Sequence, residues 1–236
     1  VKILAIETSA VTGSAAILED DVLRAFTYQN AGLTHSRTLM PMVEDMLKNC
    51  DMRLSDMDAF ALAVGPGSFT GLRIGISTIK GIAMGLDKPC IGVSTLLAMA
   101  NIVPDSGATI CCVMDARAGQ VYNAMFEKKD GRLVRLCEDR AVSIEYLKEE
   151  LKKAKKDYIL VGDGANMCYN LIKCDDIKVR LAEENCRFQN AYGVALAAKH
   201  EMQNKNAVTA DMLVPVYLRL PQAERERILK QERDGK

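Results

Sequence analysis

Apolar residues come along this chain in short continuous runs that alternate with amphipathic stretches, the pattern of strands interleaved with helices. Lys2–Glu7 (KILAIE) reads as a buried strand ending in an acid, with a turn over 8–13. Ser14–Leu18 and Val22–Tyr28 read as two more strands, joined by the acidic turn Glu19-Asp20-Asp21. From Thr34 to Cys50 the period changes. Leu39, Met42, Val43, Met46, Leu47 and Cys50 recur at helical spacing, with Pro41 in the first turn or kinking it. Ala59–Val64 then reads as a strand, Gly71–Leu86 as a helix, Cys90–Val93 as a strand and Thr95–Ile102 as a helix.

Val103–Gly107 reads as a linker, and after it the opening order returns. Thr109–Asp115 is again an apolar strand ending in an acid. Gln120–Phe126 and Leu133–Val142 follow as strands about a hairpin turn at Lys128–Gly131. Then come a helix (Ile144–Ala154), a strand (Tyr158–Val161) and the turn Gly162-Asp163-Gly164. Two occurrences of one element order predict an internal duplication. The expected fold is α/β, with two tandem β-β-β-α-β-α lobes over 1–104 and 105–236. That is the plan of the actin-like ATPase (ASKHA, ribonuclease H-like) fold, whose halves close over a nucleotide. The expectation includes a last helical segment able to pack back on the first lobe. The charged stretch Glu224–Lys236 reads as a solvated helix or frayed end.

The run Val64-Gly65-Pro66-Gly67-Ser68-Phe69-Thr70-Gly71-Leu72-Arg73-Ile74-Gly75 joins a strand to a helix through glycines. Such a junction aims backbone N–H groups and the positive end of a helix dipole at one point, which suits an anion. Ser68 or Thr70 can cap the helix. A tight turn between strand and helix explains the same residues equally well. The candidate nucleotide or phosphate contacts are Glu7, Thr8, Ser9, Gly65, Gly67 and Ser68.

Composition narrows the chemistry. The 236 residues carry 31 basic and 31 acidic side chains, so no bulk field draws nucleic acid. The chain has no Trp and 5% aromatic residues, which argues against a base-stacking platform. Its eight cysteines form no C-x-x-C pair and sit mostly in apolar runs, so the simplest expectation is a reduced, cytoplasmic protein. His35 and His200 are far apart in sequence and make no zinc motif. No nucleophile–base pair is visible, so no catalytic residue and no metal ligand is assigned.

The Gly71–Leu86 helix is apolar around most of its circumference, with Leu72, Ile74, Ile76, Ile79, Ile82, Ala83, Met84 and Leu86. Gly71/Gly75 and Gly81/Gly85 recur four apart, which lets another backbone approach. Met40, Met42 and Met46 line the Thr34–Cys50 helix, and methionine suits surfaces that adapt to a partner. The same stripe also fits a core face lying on the sheet. The candidate partner-binding residues are Leu39, Met42, Val43, Met46 and Leu47 on the first helix, with Leu72, Gly75, Ile76, Ile79 and Ile82 on the second.

Motifs spread along nearly the whole chain resemble the bacterial TsaB (YeaZ) family. They are Ile3-Leu4-Ala5-Ile6-Glu7-Thr8-Ser9, His35-Ser36, the Val64–Gly75 run, Lys80-Gly81-Ile82-Ala83 and Gly92-Val93-Ser94-Thr95-Leu96. Asp115-Ala116-Arg117, Val121-Tyr122 and Tyr217-Leu218-Arg219 complete the set. The resemblance implies a non-catalytic helper that binds the paralogue TsaD, with the ATPase TsaE as third component, in making N6-threonylcarbamoyladenosine on tRNA. It also implies a homodimer when alone, ATP or ADP held only in the complex, tRNA reached only through the complex, and no membrane. Two positions depart from the family pattern: Glu7 stands where Asp is usual, and Arg37 where Glu is common. A stand-alone ATP-dependent phosphotransferase of the same superfamily is the competing reading, using Glu7, Thr8 and the two glycine turns.

Overall fold

A computed structural model describes residues 1–219 of the chain. Lys2–Glu7 (β1), Gly13–Glu19 (β2), Val22–Gln29 (β3), Ala59–Gly65 (β4) and Cys90–Ser94 (β5) form one sheet in the order β3-β2-β1-β4-β5. Here β1 runs antiparallel to β2 and parallel to β4, and β5 extends the parallel half.

The second sheet repeats this plan. It contains Thr109–Asp115 (β6), Gln120–Lys129 (β7), Arg132–Arg135 (β8), Arg140–Ser143 (β9), Asp157–Val161 (β10) and Lys178–Leu181 (β11), along the path β11-β10-β6-β7-β8. Like β1, its central strand β6 has an antiparallel hairpin partner on one side and a parallel strand on the other. The duplication is therefore present in the hydrogen-bond ladders. The strand expected over Leu133–Val142 is split, because after the Leu136 N–H bonds the Met125 carbonyl the chain leaves the ladder over residues 137–139, and β8 and β9 each pair with β7. Asp139, in that break, accepts from Arg135 Nη1 and from Ser94 Oγ of the first lobe, both at 2.5 Å.

Period-two alternation gives each central strand two apolar faces. On the first sheet Leu4, Ile6, Ala15 and Ile17 meet His35–Asn49 (α1) and Phe69–Leu86 (α2). The opposite face, with Ile3, Ala5, Ala16, Ala59, Ala61 and Ala63, is covered by Ala191–Gln203 (α7). Both partners there are alanine-rich, so the layers can come close. Thr95–Ile102 (α3) lies between the lobes, with Ala98 packed with α7, and Leu96 and Met99 packed on the second sheet. Ile144–Ala154 (α4) and Ala165–Ile172 (α5) cover that sheet's far face. Glu184–Arg187 (α6) precedes α7.

After residue 190 the chain returns to the first lobe. By its packing α7 belongs to the first lobe. Val208 pairs with Cys90 through two 2.8 Å backbone bonds, and Leu213 joins the core under α1 and α2. The physical reason is that the alanine face of the first sheet needs cover, and the chain supplies it from residues beyond 190. The charged stretch Glu224–Lys236 lies outside the described residues. Among the described residues no helix is long and apolar enough to cross a membrane.

Candidate functional site

The two sheets direct matching features into one cleft. β1 ends at Glu7, whose Oε1 accepts from the N–H of Ser9 at 2.5 Å. β6 ends at Asp115, whose Oδ1 accepts from the N–H of Arg117 at 2.8 Å. Each acid thus caps its own turn two residues on, a repeat at the level of single bonds. The glycine turns echo one another too, because Gly65 (φ 132°) and Gly162 (φ 117°) both occupy a backbone region that side chains avoid.

Between the lobes lies a cavity of about 370 Å³, lined among others by Ser9, Gly67, Ser68, Asp115, Asp163 and Arg219. Ser68 caps α2 by accepting from the N–H of Gly71 at 3.3 Å, and its own N–H donates to the Ser9 carbonyl at 2.7 Å. A side chain at Gly67 would meet the Ser9 carbonyl oxygen and Cβ at 2.6 and 2.7 Å, so the turn rests directly on the first loop. His35 Nε2–H donates to the Ala10 carbonyl at 2.7 Å, the carbonyl being able only to accept. His35 thus props that loop.

Carboxylates gather at the floor. Glu7 is 1% exposed, and burial pushes its carboxyl up to about 7, against the bonds from Ser9 and Thr8 and with the Asp163 charge adding to the rise. Burial also raises Asp163, although Gln189 Nε2 donates to it at 2.8 Å. Glu7 Oε2, Ser9 Oγ and Gln189 Oε1 are buried without a hydrogen-bond partner in the structure. At the rim Arg117 pairs with Asp115 at 3.2 Å, but its side chain is 81% exposed, so the pair adds little to stability. Among the described residues no three His, Cys, Asp or Glu side chains are placed to share a metal ion.

Of the predicted contacts, Ser9, Gly67 and Ser68 line this cavity, and Glu7 lies buried beside it. Thr8 and Gly65 do not. Thr8 Oγ1 turns away to donate to the Gly71 carbonyl at 2.9 Å, and Gly65 lies against the backbone of Val216. Asp163 is visible in sequence through its Gly-Asp-Gly turn, whereas Gln189 carries no local signal and reaches the site only through the fold.

A family model described as TsaD, tRNA N6-adenosine threonylcarbamoyltransferase, matches residues 28–227. The tRNA threonylcarbamoyladenosine biosynthesis protein TsaB of Bacillus subtilis is 33% identical over 235 residues, covering 98% of this chain and 99% of that protein. TsaB of Escherichia coli is also 33% identical, covering 92% and 94%. This chain belongs to the TsaB family. The solved structure of YeaZ from Pseudomonas aeruginosa superposes with a TM-score of 0.79 at 27% identity, covering 92% of this chain and 99% of that one. The fold is thus the actin-like α/β fold of the TsaB (YeaZ) proteins.

In this TsaB-family chain the helix residues predicted to meet a partner are mostly turned inward. Leu39, Met42, Val43, Met46 and Leu47 are buried between α1 and the sheet, Ile76 and Ile79 of α2 join the same core, and Leu72 of α2 is fully buried. Gly75 is buried as well, and a side chain there would strike Thr8 Oγ1. Ile82 is half-buried against the same core. Helical spacing made these residues conspicuous because their own sheet requires it. The other face of α2 is uncovered: Arg73, Ser77, Gly81, Met84 and Gly85 are exposed, Met84 at 70%. Nothing lies within 4 Å of where a side chain at Gly81 or Gly85 would start. Beside α2 the short turn Ala210–Met212 packs against it, presenting exposed Met212 and leading to exposed Val214.

Proposed function

We propose that this chain is a non-catalytic accessory subunit in the synthesis of N6-threonylcarbamoyladenosine on tRNA. It binds TsaD and supports threonylcarbamoyl transfer by that subunit, with TsaE as a further component. The near full-length identity to TsaB proteins carries the pathway assignment. The accessory role draws its support from α2, a helix of 18 residues whose outward row of small and flexible side chains is left uncovered. Two glycines and a methionine there admit a second helix at short range. The docking surface is therefore the outward row Ser77, Gly81, Met84 and Gly85, with Ile82 at its edge, rather than the buried stripe. The same row serves a homodimer when TsaD is absent, and tRNA is reached only through the assembly, in the cytoplasm.

One side of the cleft offers donors to an anionic group, while Asp115 and Asp163 line the other part of it. The N-terminus of α2 points into it at Gly67 and Ser68, and Arg117 and Arg219 stand at its rim. ATP or ADP would be held by these residues, and we place that binding in the complex.

Light scattering after size exclusion, on the chain mixed with TsaD, tests the reading. Gly81→Glu and Met84→Asp should each leave the isolated chain folded and remove the mixed species. A mixed complex of unchanged affinity in both variants would place the interface elsewhere. ATP turnover by the isolated chain would instead favour the phosphotransferase.

A further inference from the structure

Four consecutive residues near the end of the described chain grip first one lobe and then the other. The N–H of Val216 donates to the Val64 carbonyl at 2.8 Å, at the end of β4. The Val216 carbonyl fills the space a side chain on Gly65 would need, so the first glycine of the turn is shaped around this segment. Tyr217 stacks on Phe69 in the first turn of α2, with ring centroids 4.3 Å apart, and its hydroxyl accepts from Arg73 Nε at 3.1 Å. Those contacts all belong to the first lobe.

The next two residues belong to the second. Leu218 packs against the cluster that holds Met114, Ala116 and Tyr122. Arg219 Nη1 donates to the carbonyls of Ala116 and Arg117, the latter at 3.2 Å. These two carbonyls open a turn in which Arg117, Ala118 and Gly119 all have positive φ (64°, 53° and 69°). Within it the Arg117 carbonyl also accepts from the Gln120 N–H at 3.2 Å, so Arg219 is its second donor. Arg219 and Phe69 both line the cleft, so the segment passes at its mouth.

We propose that Val216–Arg219 is a strap across the inter-lobe cleft that fixes how far the lobes stand apart. Its first-lobe end is the firmer, with a backbone bond, a stacked ring and a tyrosine hydroxyl bond. Its second-lobe end rests on one leucine and one guanidinium, so the strap lets go at Arg219 first. The strap does not depend on which partner or nucleotide the protein binds.

The native cysteines supply the probe. Cys50 follows α1 in the first lobe and Cys174 follows α5 in the second, and both are partly exposed. With the third partly exposed thiol removed (Cys137→Ser), nitroxides on Cys50 and Cys174 of the full chain report the lobe separation by pulsed dipolar spectroscopy. The parent should give one narrow distance distribution. Arg219→Ala and Tyr217→Ala, which cut opposite ends of the strap, should each broaden it and move its centre outward. Circular dichroism and the unfolding midpoint establish that each variant is folded. An unchanged distribution in either folded variant would overturn the proposal.

Discussion

Thr8 and Gly71 hold each other by two contacts: Thr8 Oγ1 donates to the Gly71 carbonyl at 2.9 Å, and the Thr8 carbonyl fills the space a Cβ on Gly71 would take. Gly67 and Gly75, one turn either way along the chain, lie against Ser9 and the Thr8 hydroxyl. The Glu7-Thr8-Ser9 loop is therefore the bed on which α2 is seated. Gly71→Ala and Gly75→Ala force backbone or a buried hydroxyl to move, and should cost several kcal/mol, on the order of other severe core strains. Gly81→Ala and Gly85→Ala meet open space and should stabilise the helix by up to about 1 kcal/mol each. Urea unfolding of the four variants separates the pairs. Equal effects at all four positions would contradict the seating described here.

This pair of glycine rows shows what sequence could and could not supply. Strands β1, β4 and β6 and helices α3 and α4 stand within one residue of where alternation and period put them, because continuous burial leaves a plain pattern. The repeat of glycines four apart was legible as well. Its direction was not: Gly71 and Gly75 face the protein's own loop and Gly81 and Gly85 face outward, a distinction set by Thr8 at a distance of over sixty residues. The same limit left α7 unlocated, although a late helix returning to the first lobe was expected. Its Ala191, Ala195, Ala197 and Ala198 give little contrast between faces, and nothing local says that they cover the first sheet. In the cleft, Ser9, Gly67 and Ser68 could be named from the motif, whereas Gln189 arrives from a segment with no motif of its own, and Arg219, though part of the Tyr217-Leu218-Arg219 motif, takes its place at the cleft only through the fold.

Glu7 gives a pH prediction with a definite sign. Its carboxyl rises from 4.5 in the unfolded chain to about 7 when buried, so between these values the folded state binds the extra proton. The group's contribution is then most favourable below about 4.5, is lost as pH climbs toward 7, and stays lost above it. At 1.36 kcal/mol per unit the loss is on the order of 3 kcal/mol. Glu7→Gln, which cannot ionise, should gain stability relative to the parent across that window and hold the gain at pH 8. The variant-minus-parent difference in unfolding free energy, measured from pH 4 to 8, checks it. A flat difference would mean that Glu7 is charged and compensated in the folded protein.

The thiols divide by burial. Cys90, Cys111, Cys112, Cys168 and Cys186 are buried, while Cys50, Cys137 and Cys174 are partly exposed. Burial raises the thiols of Cys111 and Cys112 and pushes that of Cys168 up to about 12, so almost no thiolate is present at neutral pH. Iodoacetamide on the native protein at pH 7.5 should modify Cys50, Cys137 and Cys174 well ahead of the other five, and all eight at similar rates in guanidinium. Peptide mass spectrometry over a time course reads the order directly. Early modification of Cys111 or Cys168 in the native state would show that the second core opens on that timescale.

Met42 and Met84 separate a core role from the proposed docking role on adjacent helices. Met42 is 5% exposed, in the core that α1 shares with the sheet, so Met42→Ala should cost about 2–5 kcal/mol. Met84 stands 70% exposed on the outward row of α2, and Met84→Ala should leave stability within about 0.5 kcal/mol. Binding to TsaD should follow the opposite order once each variant is compared as folded protein. Met42→Ala keeps the outward row intact and should bind as the parent does below its unfolding transition, whereas Met84→Ala removes a side chain that a second helix would cover and should weaken the complex several-fold. Titration calorimetry at a temperature where both variants are folded reads the two affinities. If Met42→Ala weakened binding and Met84→Ala did not, the partner would be meeting the buried stripe, and the first lobe would have to open to present it.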